Sequence, residues 1–292
     1  MLEEMEKKVS QIYSRASKEI EKKTADFWEA FEKQDKAMKA KLSAGKITQE
    51  QYEKWQKEQA LTGTHAKAMQ DVVAAEISNA AKTATAYVNG KLPNVYALNY
   101  NKLADDIGGL IKGYSFELVD AATVRNLATS NKTLLPYKKV NGKKVERWAT
   151  QKVNSEIMQG VIQGESIPNI AKRLQNVTEM DKNSAIRNAR TTVTSAENKG
   201  RQDSYIEAEA DGIVLVKCWI ATNDTRTREA HEELDGQEVD IDEPFVNSIG
   251  EIMYPGDPDA EPANVYNCRC SMKTRVIGFR KQDGSISYVG EH

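Results

Sequence analysis

The stretch Trp219–Gln237, WIATNDTRTREAHEELDGQ, followed at Tyr254–Pro258 by YPGDP and at Val265–Cys270 by VYNCRC, decides how this 292-residue chain is read. Residues 219–275 hold one of the three histidines, two of the three cysteines and four of the seven prolines. A generic helical protein would scatter these residues. Collecting them in one place, with turn formers between them, points to a compact domain of specified geometry. Everything before it reads mostly as helix, so the expected class is α+β: a long, mostly helical N-terminal region followed by a small C-terminal α+β domain.

Within the small domain, Ile213–Ile220 (IVLVKCWI) reads as a strand with Val214, Val216, Cys218 and Ile220 on one face, which makes Cys218 a buried thiol. Asp224 is a suitable N-cap for a short helix over Thr225–Leu234, with Gly236 just past its end. On that helix Arg228 lies one turn from Asp224 and Glu232, and Thr227 one turn from His231. Gln237–Ile241 reads as a second strand and Asp242–Pro262 as a long loop. Val265–Ile277 reads as the closing strand, with Cys268, Cys270 and Met272 on one face and Asn267, Arg269 and Ser271 on the other.

Three readings of this cluster stand side by side. His231, Cys268 and Cys270 could supply an imidazole and two thiolates to a metal such as zinc, with an Asp or Glu as fourth ligand. A single Cys-x-Cys with one distant His is a weaker pattern than paired Cys-x2-Cys units, and no other cofactor is indicated. His231 with Asp224, Asp235 or Arg228 could act in hydrolysis or phosphodiester cleavage, as a metal- or His-dependent nuclease or toxin-like enzyme, although no nucleophile or phosphate loop accompanies them. The third reading is structural: an Asp–Arg–His network pinning a long loop against a small sheet, with no catalysis.

The region before the domain is expected to be a succession of helices. Leu2 to about Leu42 carries one apolar stripe on a charged rod, without a sustained heptad. Gly45 stops it, and Thr48-Gln49-Glu50-Gln51 forms a capping box for a helix over Gln49–Leu61. A third helix is expected from His65 to Asn89, stopped by Gly90 and by Leu92-Pro93. Asn94–Asn101 is then a connector before helices over Lys102–Lys112 and Ala121–Thr129. His65 is assigned no role. The segment Leu134–Trp148, LLPYKKVNGKKVERW, reads as a β-hairpin about Asn141-Gly142. Its Lys138, Lys139, Lys143 and Lys144 either contact nucleic acid or an acidic protein face, or guard an exposed edge. Thr150–Gln163 and a short helix opened by Ser166-Ile167-Pro168 follow, then a long helix from Thr178 to about Glu209. Its Ile186, Ala189, Val193, Ala196 and Gly200 form a seam of mostly small residues that invites another helix close. Arg190, Thr194, Glu197 and Arg201 line a second face as an intrahelical ladder.

Composition bounds the function classes. Three cysteines, two of them one residue apart, do not make a disulfide framework. No apolar run reaches the roughly 18 residues that span a bilayer, and MLEEMEKK at the start is not a signal peptide, so synthesis in the cytoplasm and no membrane partner are expected. The net charge of −2 hides an asymmetry: residues 1–200 carry 32 Lys+Arg against 24 Asp+Glu, whereas residues 201–270 carry 5 against 17. An acidic domain joined to a mildly basic helical part orients in the field of a charged partner.

The order of ARTTVTSAENKGR (Ala189–Arg201), KCWIATNDTRTREAHEELDG (Lys217–Gly236), YPGDP and VYNCRC resembles the head morphogenesis domain of tailed-phage minor head proteins, the phage Mu F-like family. The preceding WATQKVNSEIMQGVIQGESIPNIAKRL (Trp148–Leu174) and the helical N-terminal part are similar to minor capsid proteins of phages that infect Gram-positive bacteria. The resemblance implies a low-copy component of the virion interior, at the portal vertex, incorporated during procapsid assembly and affecting DNA packaging or delivery. Its implied partners are the portal protein, other procapsid components and packaged DNA. It implies no enzyme; related domains occur fused to toxin modules, and the chain ends about 22 residues after NCRC, so none is expected here. The expected division is residues 1–133, helical; 134–211, basic hairpin and helical connector; 212–277, the Mu F-like domain; and 278–292, a tail. Asp224, Arg226, Arg228, His231, Asp235, Gly236, Asn267, Cys268 and Cys270 are the residues expected to hold its motif together.

Overall fold

The computed structural model describes residues 1–108 and 116–289. Its chain forms two compact units, each taking in two separated stretches: residues 3–86 with 139–186, and residues 87–138 with 187–289. Helices α1 (Leu2–Ser43), α2 (Gln49–Lys57), α3 (Thr64–Gly108), α4 (Ala121–Ser130), α5 (Gly142–Ile162) and α6 (Ile167–Ala210) precede every strand. This is the expected α+β arrangement.

In the first unit, α1 and the Thr48/Gln51 capping box form as the sequence predicts, and α2 ends in one π-helical turn at Glu58–Thr62. Phe31, Trp28, Met69, Val73, Ile77, Val153, Ile157, Ile170 and Leu174 make its core. The expected hairpin at Leu134–Trp148 is absent. Asn141 sits at φ −84° rather than the positive φ of a type I′ turn, and its side chain accepts from the Lys144 N–H as the N-cap of α5. Ala149, Val153 and Ile157 are buried at helical spacing beyond it, and that long periodic signal outweighs a two-residue turn signal. The expected start of a separate helix at Thr178 is likewise overruled. Thr178 donates to the Leu174 carbonyl inside a continuous α6, and Ile170, Leu174 and Val177 bury one face across the supposed boundary.

The expected break at Gly90 and Leu92-Pro93 also fails, since α3 runs through both. Proline removes one backbone bond and costs about 3 kcal/mol in a helix interior. Leu92, Val95, Tyr96, Tyr100, Leu103 and Ile107 are all buried on this part of the helix, at about 1.5–3 kcal/mol for each large side chain, so burial wins. Residues 109–112 of the helix expected over Lys102–Lys112 lie outside the described residues. The small-residue seam on α6 does what its composition implies. A Cβ at Gly200 would lie 2.6 Å from the Tyr96 carbonyl oxygen, so α3 reaches the α6 backbone there only because no side chain intervenes.

The sheet of the second unit has the order β2-β1-β5-β6, all antiparallel, from β1 (Ile213–Ile220), β2 (Glu238–Asp240), β5 (Ser271–Arg280) and β6 (Ile286–Tyr288). The loop expected at 242–262 contains a second hairpin, β3 (Phe245–Asn247) with β4 (Gly250–Ile252), and the expected tail supplies β6. The closing strand starts only at Ser271. Before it come the one-turn helix α8 (Pro262–Val265) and Asn267 at φ +60°, a left-handed residue that prevents a regular strand through Cys268 and Cys270. The helix expected at Thr225–Leu234 shrinks to α7 (Glu229–Glu232).

The core face of β1 is not the one its apolar residues suggest. Ile213, Leu215, Lys217 and Trp219 are buried, and Cys218 is also buried, from the opposite face. Lys217 is wholly buried, donating to the Met253 carbonyl at 2.9 Å, and burial pulls its ammonium from the usual 10.5 down to about 8. A lowered lysine pKa means that the folded state resists protonation, so the penalty is complete below pH 8 and disappears as the unfolded lysine deprotonates near 10.5. Any stability gained by Lys217→Met relative to wild type should therefore shrink between pH 8 and pH 10.5. Urea melts of both proteins across that range, with a constant difference as the opposing result, test this.

Candidate functional site

One face of α6 organises the candidate site. Thr191 accepts from the Asn267 N–H at 2.8 Å, Thr194 donates to the Cys268 carbonyl at 3.0 Å, and Asn198 donates to the Cys270 carbonyl at 3.4 Å. Arg201 donates to the Ser271 hydroxyl and the Met272 carbonyl, and Arg190 donates to the Asn267 side chain at 2.7 Å. Residues three and four apart on a helix stack on one side, so this set follows the 267–272 backbone in step. Of the ladder predicted along the helix, Arg190, Thr194 and Arg201 make contacts between elements, while Glu197 keeps Arg201 as its neighbour. Burial raises the Glu197 carboxyl, with Arg201 opposing.

YPGDP presses on the same helix from another direction. Gly256 has φ +82°, and a Cβ there would lie 2.9 Å from the Ser195 backbone nitrogen. Both the positive φ and the close approach exclude a larger residue. The buried Asp257 carboxylate receives the Met253 and Asp259 N–H groups, closing the turn from inside.

Held this way, Cys268 and Cys270 converge on His231. The Nδ1 of His231 lies 3.4 Å from the Cys270 sulfur and 3.7 Å from the Cys268 sulfur, and the three ligand atoms all fall within 4.8 Å of one another. All three residues are buried, with Trp219 edge-on to the imidazole at 5.6 Å between ring centroids. Tetrahedral zinc, with Zn–S about 2.3 Å and Zn–N about 2.0–2.1 Å, gives an S···N edge of about 3.6 Å. The donor set therefore has the spacing and chemistry of a thiolate–imidazole metal site. Cys270 accepts a hydrogen bond from Cys268, which lowers the Cys270 thiol and raises that of Cys268; His231 lowers Cys270 further.

The carboxylates that the hydrolytic reading pairs with His231 are engaged elsewhere. Asp224 forms a two-point ion pair with Arg269 at 2.5 and 2.6 Å and accepts the Arg226 N–H. Asp235 accepts the Ala221 N–H and the Asn223 side chain, both at 2.8 Å, and these bonds lower its carboxyl. Arg228 donates to the Tyr266 carbonyl, with its Nη1 3.4 Å from His231 Nε2. Gly236, at φ +77°, sends its N–H to the Trp219 carbonyl, and Arg226 is exposed. The expected Asp–Arg–His network is thus divided into three: Asp224 with Arg269, Asp235 with Ala221 and Asn223, and Arg228 with His231 and Tyr266. Arg269 is the residue that the sequence reading missed; it sits between the two cysteines, where they drew the attention. Lys138, Lys139, Lys143 and Lys144 are exposed around the α5 N-terminus, away from these residues in the chain.

The family described as phage Mu protein F like protein matches residues 151–273, which include the whole of α6 and the 267–272 segment it holds. Minor head protein GP7 of Bacillus phage SPP1 is 30% identical over 98% of this chain and 93% of its own length. The chain belongs to the phage minor head protein family. Other relatives match over less: NAD(+)–arginine ADP-ribosyltransferase EFV of Enterococcus faecalis is 37% identical over 44% of this chain, and uncharacterized protein YqbB of Bacillus subtilis 25% identical over 58%. The chain spans 26% of the length of the former and 54% of the latter. No solved structure matches. No helix among the described residues is long and apolar enough to cross a membrane.

Arg269 holds the Asp224 carboxyl well below the usual carboxylate range. The stability this pair contributes is present above the unfolded aspartate value of about 3.9 and is lost as pH falls through the folded one. Asp224→Asn should destabilise the domain at neutral pH, with the gap to wild type closing as pH drops from 5 to 2. Chemical denaturation across that range measures it, and a pH-independent gap would assign the loss to something other than the ion pair.

Proposed function

We propose that this chain is a non-enzymatic assembly component of the phage head, held inside the procapsid at the portal vertex, where it affects DNA packaging or delivery. The near-complete overlap with a minor head protein carries this reading. The site geometry supports it. A general base must reach a substrate proton, whereas His231 is buried behind Trp219 and faces two cysteines, and Asp224 is committed to Arg269. The excess of acid over base in residues 201–270 suits docking on a basic surface of an assembly partner. Host cytoplasm is the place of assembly and the virion interior the destination in this reading.

Co-expression with the portal protein of the same phage tests it. The two should co-purify as a complex stable to moderate salt, and the purified chain should show neither DNA cleavage nor ADP-ribosyl transfer. Transfer or cleavage abolished by His231→Ala would replace assembly with catalysis.

A second reading concerns packaged DNA. Lys143 and Lys144 sit in the first turn of α5, where the helix dipole disfavours a cation by about 0.3–1 kcal/mol, so helix stability does not account for them. With Lys138 and Lys139 they suit phosphate contact. Replacing all four by Gln should remove salt-dependent DNA binding in a filter or anisotropy assay; unchanged binding excludes these lysines as the contact.

A further inference from the structure

We infer that His231, Cys268 and Cys270 bind one zinc ion, which locks the turn before β5 to the α7 segment. The ligands come from two stretches 37 and 39 residues apart, so the ion would close a long loop rather than decorate a local turn. Three independent features support a metal over simple packing. The sulfur–nitrogen distances of 3.4 and 3.7 Å bracket the tetrahedral edge of about 3.6 Å. The Cys270 N–H points at the Cys268 sulfur at 3.4 Å, the backbone-to-sulfur bond that a thiolate ligand accepts. The group is also buried among Trp219, Ala221, Leu234 and Phe245, an apolar shell that would keep water from metal–thiolate bonds.

Zinc is the divalent ion suited to two thiolates and an imidazole, because it is borderline-soft and tolerates tetrahedral geometry without electronic preference. Among the described residues no carboxylate joins the group, so the fourth donor comes from outside them, water being the simplest. Binding through Nδ1 leaves the ring proton on Nε2, which then meets the Arg228 guanidinium. That contact is already long at 3.4 Å, and Arg228 retains its bond to the Tyr266 carbonyl, so withdrawal of the one Nη1 is a small rearrangement. The role is structural. The ion replaces the shared protons of the Cys268–Cys270–His231 set with three bonds and fixes the segment that α6 reads.

The full chain, purified under reducing conditions, loaded with zinc and desalted, should carry about one zinc per chain by elemental analysis. Loading with cobalt instead should give thiolate-to-cobalt charge transfer in the near ultraviolet and the intense visible bands of tetrahedral cobalt. Cys268→Ser and Cys270→Ser should each weaken the charge-transfer band, and His231→Gln should shift the visible bands. Should these variants fail to fold, competition of the wild-type chain against a chromophoric zinc chelator, together with its melting temperature before and after chelation, reads the same site. Zinc below about 0.1 per chain after loading, a melting temperature indifferent to chelation, or cobalt spectra without thiolate bands would each overturn the proposal. None of these readouts involves the portal protein, so their failure leaves the assembly reading standing.

Discussion

The second unit depends on one constraint: an irregular stretch of backbone, residues 267–270, carries the buried Cys268 and Cys270, and its polar groups must be satisfied there. Buried N–H and C=O groups left without partners cost about 1–3 kcal/mol each. A strand would satisfy them through its neighbours, but Asn267 at φ +60° takes this stretch out of the sheet. The polar face of α6 substitutes for the missing strand. Thr191, Thr194 and Asn198 meet three successive stations of the segment, and Arg201 meets the first residues of β5. Of these four, the two threonines and the asparagine are almost wholly buried. Polar side chains in so apolar a setting are tolerated because each is paired.

From this contact follows the geometry of the cysteines. Had the stretch been a regular strand, Cys268 and Cys270 would have pointed along one face of the sheet, two positions apart, and His231 would have needed to come to them. The left-handed residue and the α6 contacts fold the segment so that both sulfurs meet the same imidazole nitrogen. Gly256 contributes in the same way, letting YPGDP lie directly on the α6 backbone. YPGDP and VYNCRC are therefore the parts that fasten loops to α6.

Much of this was legible before the structure. The class, α1, the capping box of α2, α4, β1, β2 and the small-residue seam at Gly200 follow from periodicity, caps and composition, and His231, Cys268 and Cys270 stand out by residue type and do converge. Three of the failures share a cause. At Pro93, Asn141-Gly142 and Thr178 a short local signal opposed a longer apolar pattern, and in each case the buried pattern prevailed. The pairing of Asp224 with Arg269 was beyond reach, because charges 45 residues apart leave no periodic trace.

The sequence alone determined which residues the domain uses and roughly where its helices and strands lie, since side-chain period and capping chemistry act over a few neighbouring residues. Tertiary structure decided which helix interruptions count, which face of β1 is the core, with Lys217 on it, and which partner each polar group takes. Those choices weigh burial against hydrogen bonding among residues distant in the chain. Only the folded backbone brings such residues close enough for that comparison to be made.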